Sequence, residues 1–85
     1  MPTNLGLKEY FLVTGFADLL PLALKIAQRG GYSRKEMIEA VCKVADKAKT
    51  YPPTRNRLAW FATVFREKLL EARAEIQAYE RKTLT

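Results

Sequence analysis

Apolar residues recur along this chain at intervals of three and four, and no stretch alternates convincingly at a spacing of two. That periodicity predicts helices throughout. Leu5, Leu7, Tyr10, Phe11 and Val13 crowd one broad side of a first helix over about residues 5–14, with Asn4 placed to cap it and Thr14-Gly15 to stop it. Asp18 then stands ahead of Leu19, Leu20 and Pro21. Proline suits a first helical turn because the amide it lacks would be unpaired there. The second helix runs to about Arg29, and Gly30-Gly31 close it, since glycine enters the left-handed conformation at little steric cost.

The third helix carries the clearest start signal. Ser33 followed by Glu36 is a capping box, with Tyr32 and Met37 spaced as a hydrophobic staple. Met37, Ile38, Val41, Cys42, Val44, Ala45 and Ala48 fall within an arc of about 160° at 100° per residue, opposite Lys35, Glu39, Lys43, Asp46 and Lys47. Tyr51-Pro52-Pro53-Thr54 interrupts the pattern with a stiff elbow, because consecutive prolines lack amides and drive the preceding residue out of helical geometry. Thr54 or Asn56 can cap a fourth helix, in which Leu58, Phe61, Ala62, Phe65, Leu69, Ala72, Ile76 and Tyr79 keep helical spacing towards Lys82. Phe61 and Phe65, on one face with Leu58 and Leu69, read as core. A helix of roughly 26 residues is about 40 Å long, more than the diameter of so small a domain, so its end is expected to project.

The expected fold is all-α: a small bundle of about four helices with a long C-terminal helix. Residues 1–85 form one domain, with a core over about 5–70 and residues 71–85 as a projecting helix end or tail. The longest uncharged runs, Tyr10 to Ala17 and Leu58 to Phe65, are too short to span a bilayer. The first residues show no cationic stretch ahead of an apolar core, so no signal peptide is read and the expected location is the cytoplasm.

Composition narrows the function classes. There is no histidine, which removes the usual general base near neutral pH and the commonest metal ligand. The single cysteine, Cys42, can form neither an internal disulfide nor a thiolate cage, and its place on the apolar arc makes it a small core residue. Among the carboxylates, Glu36 is explained by capping, and Asp18, Glu39, Asp46 and Glu67 by solvated helix faces. Gly30-Gly31 lacks the spacing and preceding strand of a phosphate loop. No catalytic residue, metal site or cofactor is expected, and the chain is not read as an enzyme.

Charge points elsewhere. The net +6, from 15 basic and 9 acidic residues, is concentrated between Lys25 and Arg57, where nine cations face three anions. Residues 1–24 carry −1 and residues 58–85 carry +1. Such a band is the footprint of a phosphate-backbone binder, in which released counterions supply affinity without sequence information. Lys43, Lys47, Lys49, Arg55 and Arg57 are the candidate nucleic-acid contacts, the last four flanking the elbow with no acid between Asp46 and Glu67. The competing reading of the third helix is a solvated face whose lysines pair with carboxylates at i, i+4 spacing. Trp60, turned about 100° from Phe61 towards the side carrying Arg57, joins the candidates as a ring that stacks on a splayed base. It equally reads as a cover for the core's edge, with its N–H in water.

Asn56, Ala59, Trp60, Phe61, Val64 and Phe65 resemble the pattern Asn-Pro-x-Ala-Tyr-Ile-x-x-Ile-Leu of the helical C-terminal module of DnaD-type primosome proteins and related plasmid and phage replication initiators. The resemblance covers about residues 22–69 and departs at Arg57, which replaces the proline, and at Lys68-Leu69, where a tryptophan is expected. It implies DNA binding, single-stranded or duplex, coupled to helicase loading.

The leading expectation is therefore a nucleic-acid-binding helical module, a DNA replication accessory or initiation domain contacting phosphates non-specifically, with DNA favoured over RNA. A close variant is a small backbone-binding subunit of a larger nucleoprotein complex, similar in size, charge and helicity to the small subunits of CRISPR effector complexes. The alternative class is a protein-interaction or homo-oligomerisation module, in which Leu69, Ala72, Ile76 and Tyr79 form a partner-binding stripe on the fourth helix.

Overall fold

A computed structural model describes residues 6–53 and 55–84. These form α1 (Leu7–Val13), a 3-10 turn (Ala17–Leu19), α2 (Leu20–Gly30), α3 (Arg34–Thr50) and α4 (Arg57–Leu84), with no strand among the described residues. The molecule is the all-α bundle with a long last helix that the periodicity predicts. No helix among the described residues is long and apolar enough to cross a membrane.

Local chemistry sets most boundaries. In α1 the first cap position is Gly6, which makes no side-chain hydrogen bond, and Asn4 and Leu5 lie outside the described residues. The Thr14 hydroxyl closes the other end by donating to the Tyr10 carbonyl at 2.8 Å. α2 ends as expected, though one residue later: Gly30 is still helical and Gly31 takes the left-handed turn at φ 67°. The capping box of α3 is complete, with the Ser33 amide donating to Glu36 Oε1 at 2.7 Å and the Glu36 amide to Ser33 Oγ at 3.2 Å. Tyr51, held out of helical geometry ahead of Pro52 at φ −128° and ψ 72°, ends α3. Of the two candidate caps for α4, Asn56 makes the bond, its Oδ1 accepting from the Ala59 amide at 3.0 Å; Thr54 lies outside the described residues.

α3 and α4 run antiparallel, as the cross-pairs Lys47–Glu67, Lys43–Glu75 and Glu36–Arg73 require, because sequence separation grows away from the elbow. The core between them is closed by α1, α2 and the turn. Phe11, Phe61, Phe65, Leu69, Val41 and Val44 are its largest fully buried side chains. Each contributes about 1.5–3 kcal/mol by leaving water. Phe11 sets its ring edge-on to Phe65 with centroids 6.1 Å apart, and Phe16 packs on Phe61 at 5.2 Å.

Four apolar expectations are corrected. Val13 is exposed, since it lies 200° around α1 from the buried Phe11 at 100° per residue. Leu58 is 55% exposed because the first turn of α4 sits at the margin of the core stripe. The core also does not stop near residue 70: Ala72 is fully buried and Ile76 half-buried, so α4 stays against α3 well past the predicted start of a projecting tail. Cys42, expected in the core, lies half-buried at its margin, and burial pushes its thiol pKa up.

Candidate nucleic-acid interface

α3 presents Lys43 and Lys47 to the acidic side of α4, and both are spent on that contact. Lys43 Nζ lies 2.8 Å from Glu75 Oε2, and Lys47 Nζ lies 3.1 Å from Glu67 Oε1. The hydrogen bond to Glu75 raises the Lys43 pKa, and the one from Lys47 lowers that of Glu67. Lys49 lies 3.6 Å from Asp46 one turn back. Exposed pairs of this kind contribute little to stability. Their larger effect is electrostatic, because each lysine carries its own counter-charge and the row offers little net field.

Arg57 is bound more firmly. Its guanidinium donates to Asp18 Oδ2 at 2.6 Å and to the Gly15 carbonyl at 2.6 Å, and it lies 5.2 Å from the centroid of the Phe16 ring. The bond from Arg57 holds the Asp18 carboxyl below its usual range. Trp60 also stacks on Phe16, 6.4 Å away at an interplanar angle of 21°, and is half-buried at the edge of the core. Arg55 alone of the six candidates is exposed and has no ion pair among the described residues. The candidates thus do not converge on one uncompensated patch.

The proposed partner stripe divides in the same way. Leu69 and Ala72 are fully buried inside the chain's own core, which corrects their assignment to a partner surface: side chains with no exposure cannot meet another molecule. Ile76 is half-buried and Tyr79 is 67% exposed, beside a hollow also lined by Lys35, Glu39 and Glu75.

One assembly had no counterpart in the expectations. Arg73 reaches back across the bundle to Glu36, with Nε to Oε2 at 2.9 Å and Nη2 to Oε1 at 3.1 Å. The same guanidinium donates to the Gly31 carbonyl at 2.7 Å and lies 4.0 Å from the centroid of the Tyr32 ring. Glu36 therefore caps α3 and also anchors α4, and the bond from Arg73 holds its carboxyl below the usual range. Arg57 and Arg73 are parallel devices: each ties α4 to a carboxylate, a glycine carbonyl and an aromatic ring in a loop between earlier helices. Their partners lie 37 to 42 residues away in sequence, so spacing gives no sign of them.

Three of the cations outside these pairs come together between α2 and α4. Lys25 and Arg29, one turn apart on α2, share the lining of adjoining hollows with Arg66 of α4. None of the three has an ion pair among the described residues, whereas Asp18, Glu36, Asp46, Glu67, Glu71 and Glu75 all pair with a cation. Arg66 falls outside the Lys25 to Arg57 band and stands beside Glu67 in sequence, which hides it from a count along the chain. No family model matches this chain, and no curated protein or solved structure matches it significantly.

Proposed function

We propose that this chain is a small helical module that binds nucleic acid non-specifically through the phosphate backbone. The observation that carries the reading is the separation of its charges. Six of the nine acids pair with Lys43, Lys47, Lys49, Arg57, Lys68 or Arg73. The excess behind the net +6 is left on exposed cations such as Lys25, Arg29, Arg34, Lys35, Arg55 and Arg66. Counterion release at such a surface supplies affinity without reading bases. DNA as the ligand, and a role in replication initiation, follow from the resemblance of the Asn56 to Phe65 segment to DnaD-type modules.

Fluorescence anisotropy with labelled DNA and RNA oligonucleotides across a salt series tests the reading. Binding that is micromolar or tighter at low salt and weakens steeply as salt rises supports it. An anisotropy that stays flat at the lowest salt rejects it and turns attention to protein partners of the exposed Tyr79 end of α4.

A further inference from the structure

From the lining of the α2–α4 groove we infer that Lys25, Arg29 and Arg66 form the phosphate-contacting site of this protein, in place of the cations of α3 and the elbow. The inference rests on the nucleic-acid reading above and says where that binding occurs.

Three observations single out this groove from the rest of the basic surface. The first is sign. No carboxylate lines either hollow, and none of the three cations has an ion pair among the described residues. In the hollow bordered by Lys43 and Lys47, by contrast, Asp46 and Glu71 face the lysines. The second is arrangement. Lys25 and Arg29 are four residues apart and so lie on one face of α2, while Arg66 comes from α4 across the gap. A phosphate in the groove meets charge from two walls, whereas Arg34 and Lys35 are neighbours on a single helix turn. The third is the floor. Leu22 and Ile26 of α2 and Leu70 of α4 line the same hollows as the cations, with Leu70 63% exposed. A cleft of one charge sign with low-dielectric walls focuses its field and concentrates counter-ions more strongly than the same charges on a flat polar face. The apolar floor also offers contact for sugar or base faces once the backbone is held.

The salt dependence gives the size of the effect. Each phosphate neutralised contributes about 0.9 to the logarithmic salt slope on duplex DNA and about 0.7 on a single strand. Three contacts therefore account for a slope of about 2.1 to 2.7, or a 20- to 40-fold loss of affinity between about 50 and 200 mM salt.

The test compares two variants of equal net charge, Lys25→Gln/Arg29→Gln/Arg66→Gln and Lys43→Gln/Lys47→Gln/Lys49→Gln, by anisotropy on one labelled oligonucleotide across that salt range. Circular dichroism confirms that both are folded. The expected result is a slope smaller by about 2 to 3 in the groove variant and nearly unchanged in the α3 variant, with Lys25→Arg/Arg29→Lys/Arg66→Lys binding like wild type. Equal losses in the two neutralised variants, with wild-type binding intact, overturn the groove assignment and leave the nucleic-acid reading standing. Wild-type protein that binds no oligonucleotide overturns both. Equally tight, groove-dependent binding of polyglutamate overturns the assignment to phosphate in favour of an acidic protein partner.

Discussion

Replacing Gly30 with alanine puts two opposing effects in competition at one site. Gly30 is the last residue of α2, so helix propensity alone favours alanine by up to about 1 kcal/mol. A Cβ added there would lie 2.6 Å from Tyr32 Cδ2 and closer still to Cε2. Retreat of the ring breaks its contact with Arg73. The Tyr32 amide is held by the Ala27 carbonyl at 2.9 Å, and the Arg73 guanidinium lies 4.0 Å from the ring centroid. Forcing a methyl group into such a contact costs about 1–3 kcal/mol, and displacing the ring from the guanidinium adds about 0.5–1 kcal/mol. The steric term wins, and Gly30→Ala is expected to destabilise by about 0.5–3 kcal/mol. For a domain of this size that lowers Tm by about 2–24 °C, measured by circular dichroism. In a Tyr32→Ala background the clash is gone, and the same glycine substitution should become neutral or stabilising. A higher Tm for Gly30→Ala in the wild-type background, or no coupling in the double-mutant cycle, refutes the reasoning.

Other consequences follow from the same contacts. Ser33→Ala removes the oxygen that accepts the Glu36 amide and should cost about 1 kcal/mol in urea unfolding, while Ser33→Asp should retain most of the cap. Phe61→Ala and Leu69→Ala empty fully buried positions and should each cost roughly 2–5 kcal/mol, a loss that would leave Leu69 visible as a folding residue and not a partner contact. The pKa values of Asp18, Glu36 and Glu67 are depressed below ordinary values of 3.8, 4.5 and 4.5 by Arg57, Arg73 and Lys47. Their stabilisation is thus complete above about pH 5 and lost as the pH falls through the lowered native values, so Tm should drop from pH 5 towards 3, less steeply in Glu36→Gln. Because Trp60 is engaged by Phe16, its emission should change little when an oligonucleotide binds; strong quenching would return it to the contact surface.

Local chemistry was legible in the sequence and long-range chemistry was not. The Ser33–Glu36 box, the Gly31 turn, the proline elbow and the Asn56 cap each act within four residues, so the helices could be read almost to their ends. Phe61, Phe65 and Leu69 were legible as an apolar stripe, but periodicity alone does not tell whether a stripe covers its own core or another molecule. That ambiguity misplaced Leu69 and Ala72. The charge excess was legible as a total, and its position was not. Lys43 and Lys47 read either as phosphate contacts or as partners of carboxylates on their own helix, and only when α4 folds back do Glu75 and Glu67 stand beside them, while Arg66, beside Glu67 in sequence, has no ion pair among the described residues. Arg57 read as a phosphate contact and Arg73 drew no assignment, and only the fold sets glycine carbonyls and aromatic rings around them.

On this proposal, folding pairs Lys43, Lys47, Lys49 and Arg57 with carboxylates and leaves Lys25, Arg29 and Arg66 of the α2–α4 groove for an anionic ligand. Titrating isotopically labelled protein with an oligonucleotide and following backbone amide shifts by NMR tests it most directly. The account predicts shifts concentrated over residues 22–30 and 62–70, with those of 43–50 and 57–60 nearly still. Shifts centred on Lys43 to Trp60, with the α2 amides unmoved, would contradict it.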